Sequence, residues 1–315
     1  MVKVSAMKWI KKGHIFSVSG EFGWMNSHAQ IPTVLVLEDR LRVYFATRPE
    51  PTLSMTGFID LDISDPSRIL YLHDKPILPL GQDGYFDEHG IMPNHVIDYD
   101  DKILLAYVGW SRRNSVPYSN WMGLAVSEDM GVCYSKKSES PIMDRTHKEA
   151  FSATGLFCIK EDSKWYGWYA TGTKWLTING SCEHVYQICD CYSDDLIEWT
   201  RPANIILQAK LLNESNTRPS VIKINNIWHM WFCYRGASNF RDGCESYSIG
   251  YAWSEDLKHW TRDDTLAGIE KSAKGWDSKM MAYPYIVRAG GRILMFYNGN
   301  GFGKSGFGYA ELVED

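Results

Sequence analysis

Arg218-Pro219-Ser220-Val221, Ile227-Trp228-His229-Met230-Trp231-Phe232, Ile249-Gly250-Tyr251-Ala252 and Trp260-Thr261-Arg262 follow one another in one stretch of this chain. The runs are rich in aromatic and β-branched residues and are bounded by Gly, Asn and Asp, which is the composition of strands. Between the third and fourth runs stands Ser254-Glu255-Asp256-Leu257, whose Ser and Asp favour a turn by bonding the backbone with their side chains. The stretch predicts four strands joined by short turns.

The opening run of that stretch recurs on both sides of it. Its counterparts are Ile31-Pro32-Thr33-Val34, Met92-Pro93-Asn94-His95-Val96, Thr154-Gly155-Leu156 and Tyr283-Pro284-Tyr285-Ile286, at successive spacings of 61, 62, 64 and 65 residues. A fixed period of this kind signals an array or a propeller. Each copy carries the second and third runs as well, among them Leu41–Phe45 with Gly57–Leu61 and Ile103–Tyr107 with Gly123–Val126. The fifth copy stops after its third run, at Ala310, and the missing piece stands at the other end of the chain. Trp9-Ile10-Lys11 has the Trp-x-cation form of Trp199-Thr200-Arg201 and Trp260-Thr261-Arg262. An N-terminal strand that completes the last sheet closes the ring and removes an open edge. The expected fold is therefore all-β, a five-bladed β-propeller of four-stranded blades, with residues 1–315 forming one domain.

Composition agrees with wide sheets packed face to face: 44% of residues are hydrophobic and 14% aromatic. Most of the 13 tryptophans are expected between blades. A formal net charge of −5 gives no electrostatic footprint for nucleic acid. No run has the length of a signal peptide core or a membrane span, so a cytoplasmic protein without a membrane partner is expected. The seven cysteines have no framework or zinc spacing and read as reduced, buried thiols, with no metal and no cofactor implied.

In a propeller the innermost strands line a central channel, and their starts converge at one mouth. The segments at each proline or glycine mark supply His28, His89, Asn94, Arg218, Asp277 and Lys279, together with glutamates at nearly matching offsets ahead of the marks, Glu88, Glu149 and Glu214. Carboxylates converging from separate blades suit glycoside cleavage, where one group protonates the leaving oxygen and a second activates water or attacks. Glu88, Glu149 and Glu214 are thus the acid/base candidates, and Glu88 and Glu149 come from adjacent blades. The second strands end near Arg48, Arg112, Arg113, Lys174 and Arg235, cations able to hold a phosphate or carboxylate. His95, beyond Pro93, reads either as an acid/base group or as a hydrogen-bonded structural histidine.

The fivefold period, the Ser-x-Asp-Leu-x-x-Trp turns (Ser193 to Trp199, Ser254 to Trp260) and Tyr251-Ala252-Trp253-Ser254 resemble the five-bladed propellers of glycoside hydrolase families 43 and 32. The resemblance covers nearly the whole chain and implies a glycosidase-like enzyme that cleaves or transfers a glycosyl group. It departs at the usual acids: Gln30-Ile31 stands where family 43 has an Asp before the first proline, and Ala153 where it has its third-blade Glu. Family 130 phosphorylases share the fold, and cations at the mouth would suit their phosphate. Besides glycoside cleavage the sequence leaves open a non-catalytic glycan-binding propeller, or a sugar-modifying enzyme of polysaccharide synthesis acting on an activated, phosphate-bearing sugar. The expected partner is a carbohydrate or sugar phosphate.

Overall fold

The computed structural model describes residues 7–241 and 243–313; positions 1–6, 242 and 314–315 of the expected 1–315 span lie outside the described residues. The chain is a five-bladed β-propeller. Blade 1 is built from Ser27–Val36, Arg40–Arg48, Met55–Asp62 and Ile69–Leu72, and blade 2 from Gly90–Tyr99, Lys102–Arg112, Tyr118–Ser127 and Ser135–Lys136. Blade 4 comprises Ser215–Ile224, Ile227–Arg235, Ser248–Ser254 and Thr261–Arg262. Within these sheets neighbouring strands are antiparallel and adjacent in sequence. The innermost strands touch one another in cyclic order, the last against the first, so the ring is closed.

Blade 5 joins Ala282–Ala289, Arg292–Asn298 and Phe307–Val313 to the N-terminal strand Lys8–Phe16, which pairs Trp9 with Leu312 and Lys11 with Ala310. The expected closure is the observed one. Blade 3 differs from expectation. Its sheet has three strands, Ala153–Glu161, Lys164–Ile178 and Ser181–Ser193, and the outer position is held by isolated bridges, Cys189 to Ile205 and Tyr192 to Thr200. Pro202 cannot donate to a ladder, and Ala203 is left-handed at φ 64°, so the outer segment breaks directly after Arg201. The one helical element among the described residues is a 3₁₀ turn, Asp264–Leu266.

The core lies between blades. Trp168, Trp231, Tyr44, Tyr107 and Phe45 are fully buried, and Trp9 meets Trp231 edge to face at 5.2 Å between ring centres. Of the tryptophans, Trp9, Trp121, Trp165, Trp168, Trp228 and Trp231 are buried and the rest half-buried, as interlayer packing requires. The Ser-x-Asp turns form as read. In each, Asp195 or Asp256 accepts backbone N–H groups, and Trp199 or Trp260 donates its indole N–H to the leucine carbonyl. All seven cysteines are free; Cys158, Cys189, Cys191 and Cys233 are buried as expected, Cys182 is half-buried, and Cys133 and Cys244 are exposed because both stand in loops.

The repeat mark is a β-bulge. In four blades two residues of the innermost strand oppose one on its neighbour: Ile31-Pro32, Gly155-Leu156, Arg218-Pro219 and Tyr283-Pro284. In blade 2 the extra residue is Asn94. The first residue of each pair is left-handed, at φ 59°, 71°, 57° and 55° respectively. Glycine adopts this conformation freely at 155, whereas Ile31, Arg218 and Tyr283 hold it at a cost on the order of 1–3 kcal/mol each. Proline follows well because a bulged position has no ladder bond to lose.

His95 lies just beyond the blade 2 bulge. It is buried between the Tyr285 hydroxyl at 3.0 Å and the Cys158 carbonyl at 2.9 Å, which makes it a structural histidine. Burial pulls its pKa down to about 3, and burial likewise brings His184 and His229 to about 4. The fold therefore holds neutral imidazoles. Stability is fully present above the ordinary value of 6.5 and is lost as pH falls from there toward 3–4. Urea midpoints at pH 7.5, 5.5 and 4.5 should show that decline, and a flat profile would contradict it. Trp9→Ala should lower stability by about 3–5 kcal/mol, measured by the same denaturation, because it opens the closing seam.

Candidate functional site

The five bulges each bring a residue to the channel. Ile31, Asn94, Gly155, Arg218 and Tyr283 together line a cavity of 440 Å³ to which all five blades contribute. Bulges of this kind re-aim side chains beside functional sites. Of the candidates read from sequence, the cavity gathers His28, Arg48, Asn94, Arg218 and Arg235.

Arg218 forms the floor and is 2% exposed. Its Nη1 donates to the carbonyl and, at 2.9 Å, to the Oδ1 of Asn94, and its Nη2 donates to Thr33 Oγ1 at 2.8 Å and Pro32 O at 3.4 Å. One guanidinium thus ties blades 1, 2 and 4. Its face covers the Tyr285 ring of blade 5 at 5.2 Å. Burial without a counter-charge lowers its pKa to about 10. Arg235 donates to the carbonyls of Gly236 and His184, each at 2.8 Å, and to the Tyr186 hydroxyl at 3.3 Å, with its face 3.7 Å over Phe240. Arg48 donates to Gln30 Oε1 at 3.4 Å, and Gln30 donates onward to the Tyr283 hydroxyl at 3.3 Å. Burial, then Arg48 and Lys304, bring His28 down to about 4.

Sequence reasoning missed part of the wall. Tyr118, Tyr186 and Tyr247 supply aromatic faces and hydroxyls, and Trp110, Phe240 and Phe302 supply apolar surface. Glu183 is the one carboxylate lining the cavity among the described residues, and Arg241 meets both its oxygens at 2.8 Å. The signal available was length. The blade 3 hairpin, Lys164–Ile178 with Ser181–Ser193, has the longest strands of the five, and its overhang carries Glu183 to the rim.

The structure does not bring the expected glutamates together in this cavity. Glu149 and Glu214 belong to a tie that recurs in four blades. A carboxylate ahead of the innermost strand meets a cation on the outermost segment of the same blade. The pairs are Asp87–Lys136 at 2.7 Å, Glu149–Arg201 at 3.3 Å, Glu214–Arg262 at 2.6 Å and Asp277–Lys11 at 2.7 Å. In three of them a second-strand tyrosine also donates to the carboxylate, Tyr107 at 2.9 Å, Tyr169 at 2.6 Å and Tyr297 at 3.1 Å. In blade 4, Asn216 and the N–H groups of Lys210 and Leu211 take that part. The four carboxylates are at most 3% exposed. Blade 2 uses Asp87 for the tie, which leaves Glu88 one residue further on.

Glu88 lines a separate cavity with Tyr85, Arg113, Trp121, Glu139 and Arg145, accepts from the Gly84 N–H at 2.6 Å and lies 3.4 Å from His89. His89 sits beside the Trp110 ring and outside the central cavity lining. Arg112, Lys174 and Lys279 are exposed and do not line either cavity. No group of three or more His, Cys, Asp or Glu side chains suited to a metal ion occurs among the described residues. None of the described helices is long and apolar enough to cross a membrane.

Fold and cavity define a five-bladed propeller with a ligand-sized central chamber, the architecture of several propeller glycoside hydrolases. A structure from work on the family 130 mannoside phosphorylases, containing glycoside hydrolases that target β-1,2 mannosidic linkages in Candida mannan, superposes with a TM-score of 0.70 at 12% identity, covering 99% of this chain and 95% of that one. A thermostable family 43 glycoside hydrolase gives 0.65 at 21% identity over 91% and 88%. A Penicillium chrysogenum α-L-arabinanase complexed with arabinobiose gives 0.60 at 13% identity over 98% of each chain. At these identities the likeness is one of fold. No family model matches the chain. In sequence it is 32% identical over 308 residues to the uncharacterized protein Rv1502 of Mycobacterium tuberculosis strain H37Rv, across 97% of this chain and 99% of that protein. MT1551 of strain CDC 1551 matches to the same extent. The chain belongs to the Rv1502 family.

Arg262→Ala would leave Glu214 buried without its cation and should cost about 3–5 kcal/mol, seen as a lowered denaturation midpoint. Arg48→Met should raise the His28 pKa above its present value of about 4 by removing a facing positive charge, as followed by NMR titration. An unchanged His28 midpoint would place Arg48 too far away to act on it.

Proposed function

We propose that the protein is a glycosidase-like carbohydrate-active propeller that takes a glycan into the central cavity and cleaves or transfers a glycosyl group there. The observation that carries this reading is the cavity itself, lined from all five blades by aromatic faces and fixed hydrogen-bonding groups. Sugars are held by that combination, stacking on Tyr, Trp or Phe while planar polar groups bond their hydroxyls. The shared fold with carbohydrate-acting propellers agrees with it. Glu183 is assigned the general-base or nucleophile role, because it lines the cavity and Arg241 on both its oxygens favours the ionised carboxylate. Glu88 is the one of the three expected glutamates that is not held in an inter-strand tie, but it lines the separate cavity and is given no role in the central one.

A second reading is a glycan-binding propeller without turnover. It is favoured by the pairing of Glu149 with Arg201 and Glu214 with Arg262, which leaves one carboxylate on the cavity wall among the described residues. A screen of aryl glycosides and activated sugars separates the two readings. In an enzyme, Glu183→Gln should lower turnover about 100-fold or more with folding unchanged, since general acid–base catalysis supplies 10²–10⁴-fold. Binding of glycans with no turnover of any substrate would establish the second reading.

A further inference from the structure

We propose that the ligand of the central cavity carries an anionic oxygen group, a phosphate or a carboxylate, seated on the floor made by Arg218, Tyr283, Gln30 and Arg48. The proposal rests on the carbohydrate reading above and names the class of sugar.

Charge on the cavity wall is the first observation. Four guanidinium groups, Arg48, Arg218, Arg235 and Arg241, face one carboxylate, Glu183, and that carboxylate is already bound by Arg241. Arg48 and Arg218 have no carboxylate partner among the described residues. The acceptors they do meet are neutral: an amide side chain for Arg48, and carbonyls, an amide and a hydroxyl for Arg218.

The second observation is the state of Arg218. Its Nε is buried and has no hydrogen-bond partner, although the residue lines the cavity. Isolating a charge from water is unfavourable unless an opposite charge compensates it. A pin between blades could be made from neutral groups without that cost, as Asn298 shows where it ties the Ile31 N–H to blade 5 at 2.7 Å. An arriving anion supplies the missing compensation.

The third observation is a ready donor set. Tyr283 accepts from Gln30, which leaves its own hydroxyl hydrogen free to point at a ligand. Its left-handed backbone, φ 55°, is the strain that turns it inward. His28 stands at the same wall with Arg48, Lys304 and the Ser27 hydroxyl around it, and an anion placed there favours its protonated form. Planar guanidinium groups and phenol hydroxyls match phosphate and carboxylate oxygens.

The test uses the full chain at constant ionic strength. Melting temperature and calorimetric affinity are measured with glucose 1-phosphate, glucuronate, glucose and inorganic phosphate. Glucose 1-phosphate or glucuronate should raise the melting temperature and glucose should not; Arg48→Met should weaken that binding about tenfold or more, and NMR should show His28 titrating at higher pH when the ligand is bound. Arg218→Met is the second variant; if it fails to fold, Arg48→Met decides alone. Equal shifts from neutral and anionic sugars would overturn the anionic site and leave the carbohydrate reading standing. An anionic sugar that binds Arg48→Met as tightly as the parent would also overturn it. A shift with inorganic phosphate that no sugar improves would keep the anion site and sink the carbohydrate reading. No shift with any of the four would overturn the anion site, and the glycoside screen would then judge the carbohydrate reading by itself.

Discussion

Left-handed backbone at the head of the innermost strands is the constraint on which the rest of this structure depends. A two-for-one bulge turns Ile31, Gly155, Arg218 and Tyr283 toward the axis, and a one-residue bulge does the same for Asn94. Regular pleating would have alternated these side chains between the two neighbouring blades. Ile31 is the strongest case, because a β-branched residue pays most for a positive φ. The ring over-determines it: the Ile31 N–H is held by Asn298 of blade 5, and Pro32 and Thr33 receive Arg218 of blade 4.

A second layer of interactions holds each blade from its inner to its outer end. The carboxylate ahead of the inner strand reaches the cation on the outer segment, and a tyrosine on the second strand bonds the same carboxylate in three of four cases. Removing one partner would strand a buried charge, so the set is maintained as a unit. Blade 1 has a different connection, Trp24 donating its indole N–H to the Asp74 carbonyl at 2.8 Å. A repeat preserves whatever its architecture needs, and here it preserves an ion pair. Recurrence of Glu149 and Glu214 at nearly matching offsets reflects the ion pair each makes within its blade, and neither lines the central cavity.

The electrostatics of the chamber follow from the same division. With the acidic side chains of blades 2 to 5 drawn away into the ties, the wall is left to guanidinium groups, phenols and one rim carboxylate. Arg235 illustrates how such a wall is held rigid, with two carbonyls, a phenol and an aromatic face fixing its plane. A site preorganised in this way loses little entropy when a planar anionic or hydroxylated ligand arrives.

The period of the marks, the strand runs and the Ser-x-Asp turns are local patterns, and local patterns were enough to determine five blades and the N-terminal closure at Trp9. Those features depend on strand propensity, turn chemistry and the need to cover an edge, all of which act over a few residues. The sequence also displayed both halves of the ties, the glutamates before the marks and the Trp-x-cation ends Arg201, Arg262 and Lys11. Their pairing was invisible, because each pair is separated by 48 residues or more and joined only when the blade folds flat. Glu183, Arg241 and Tyr247 gave no local signal either: they enter the site because a long hairpin and a neighbouring loop overhang the channel. Which residues recur was written in the chain; which of them face the axis was decided by the sense of the bulge, a backbone twist that no residue type specifies alone.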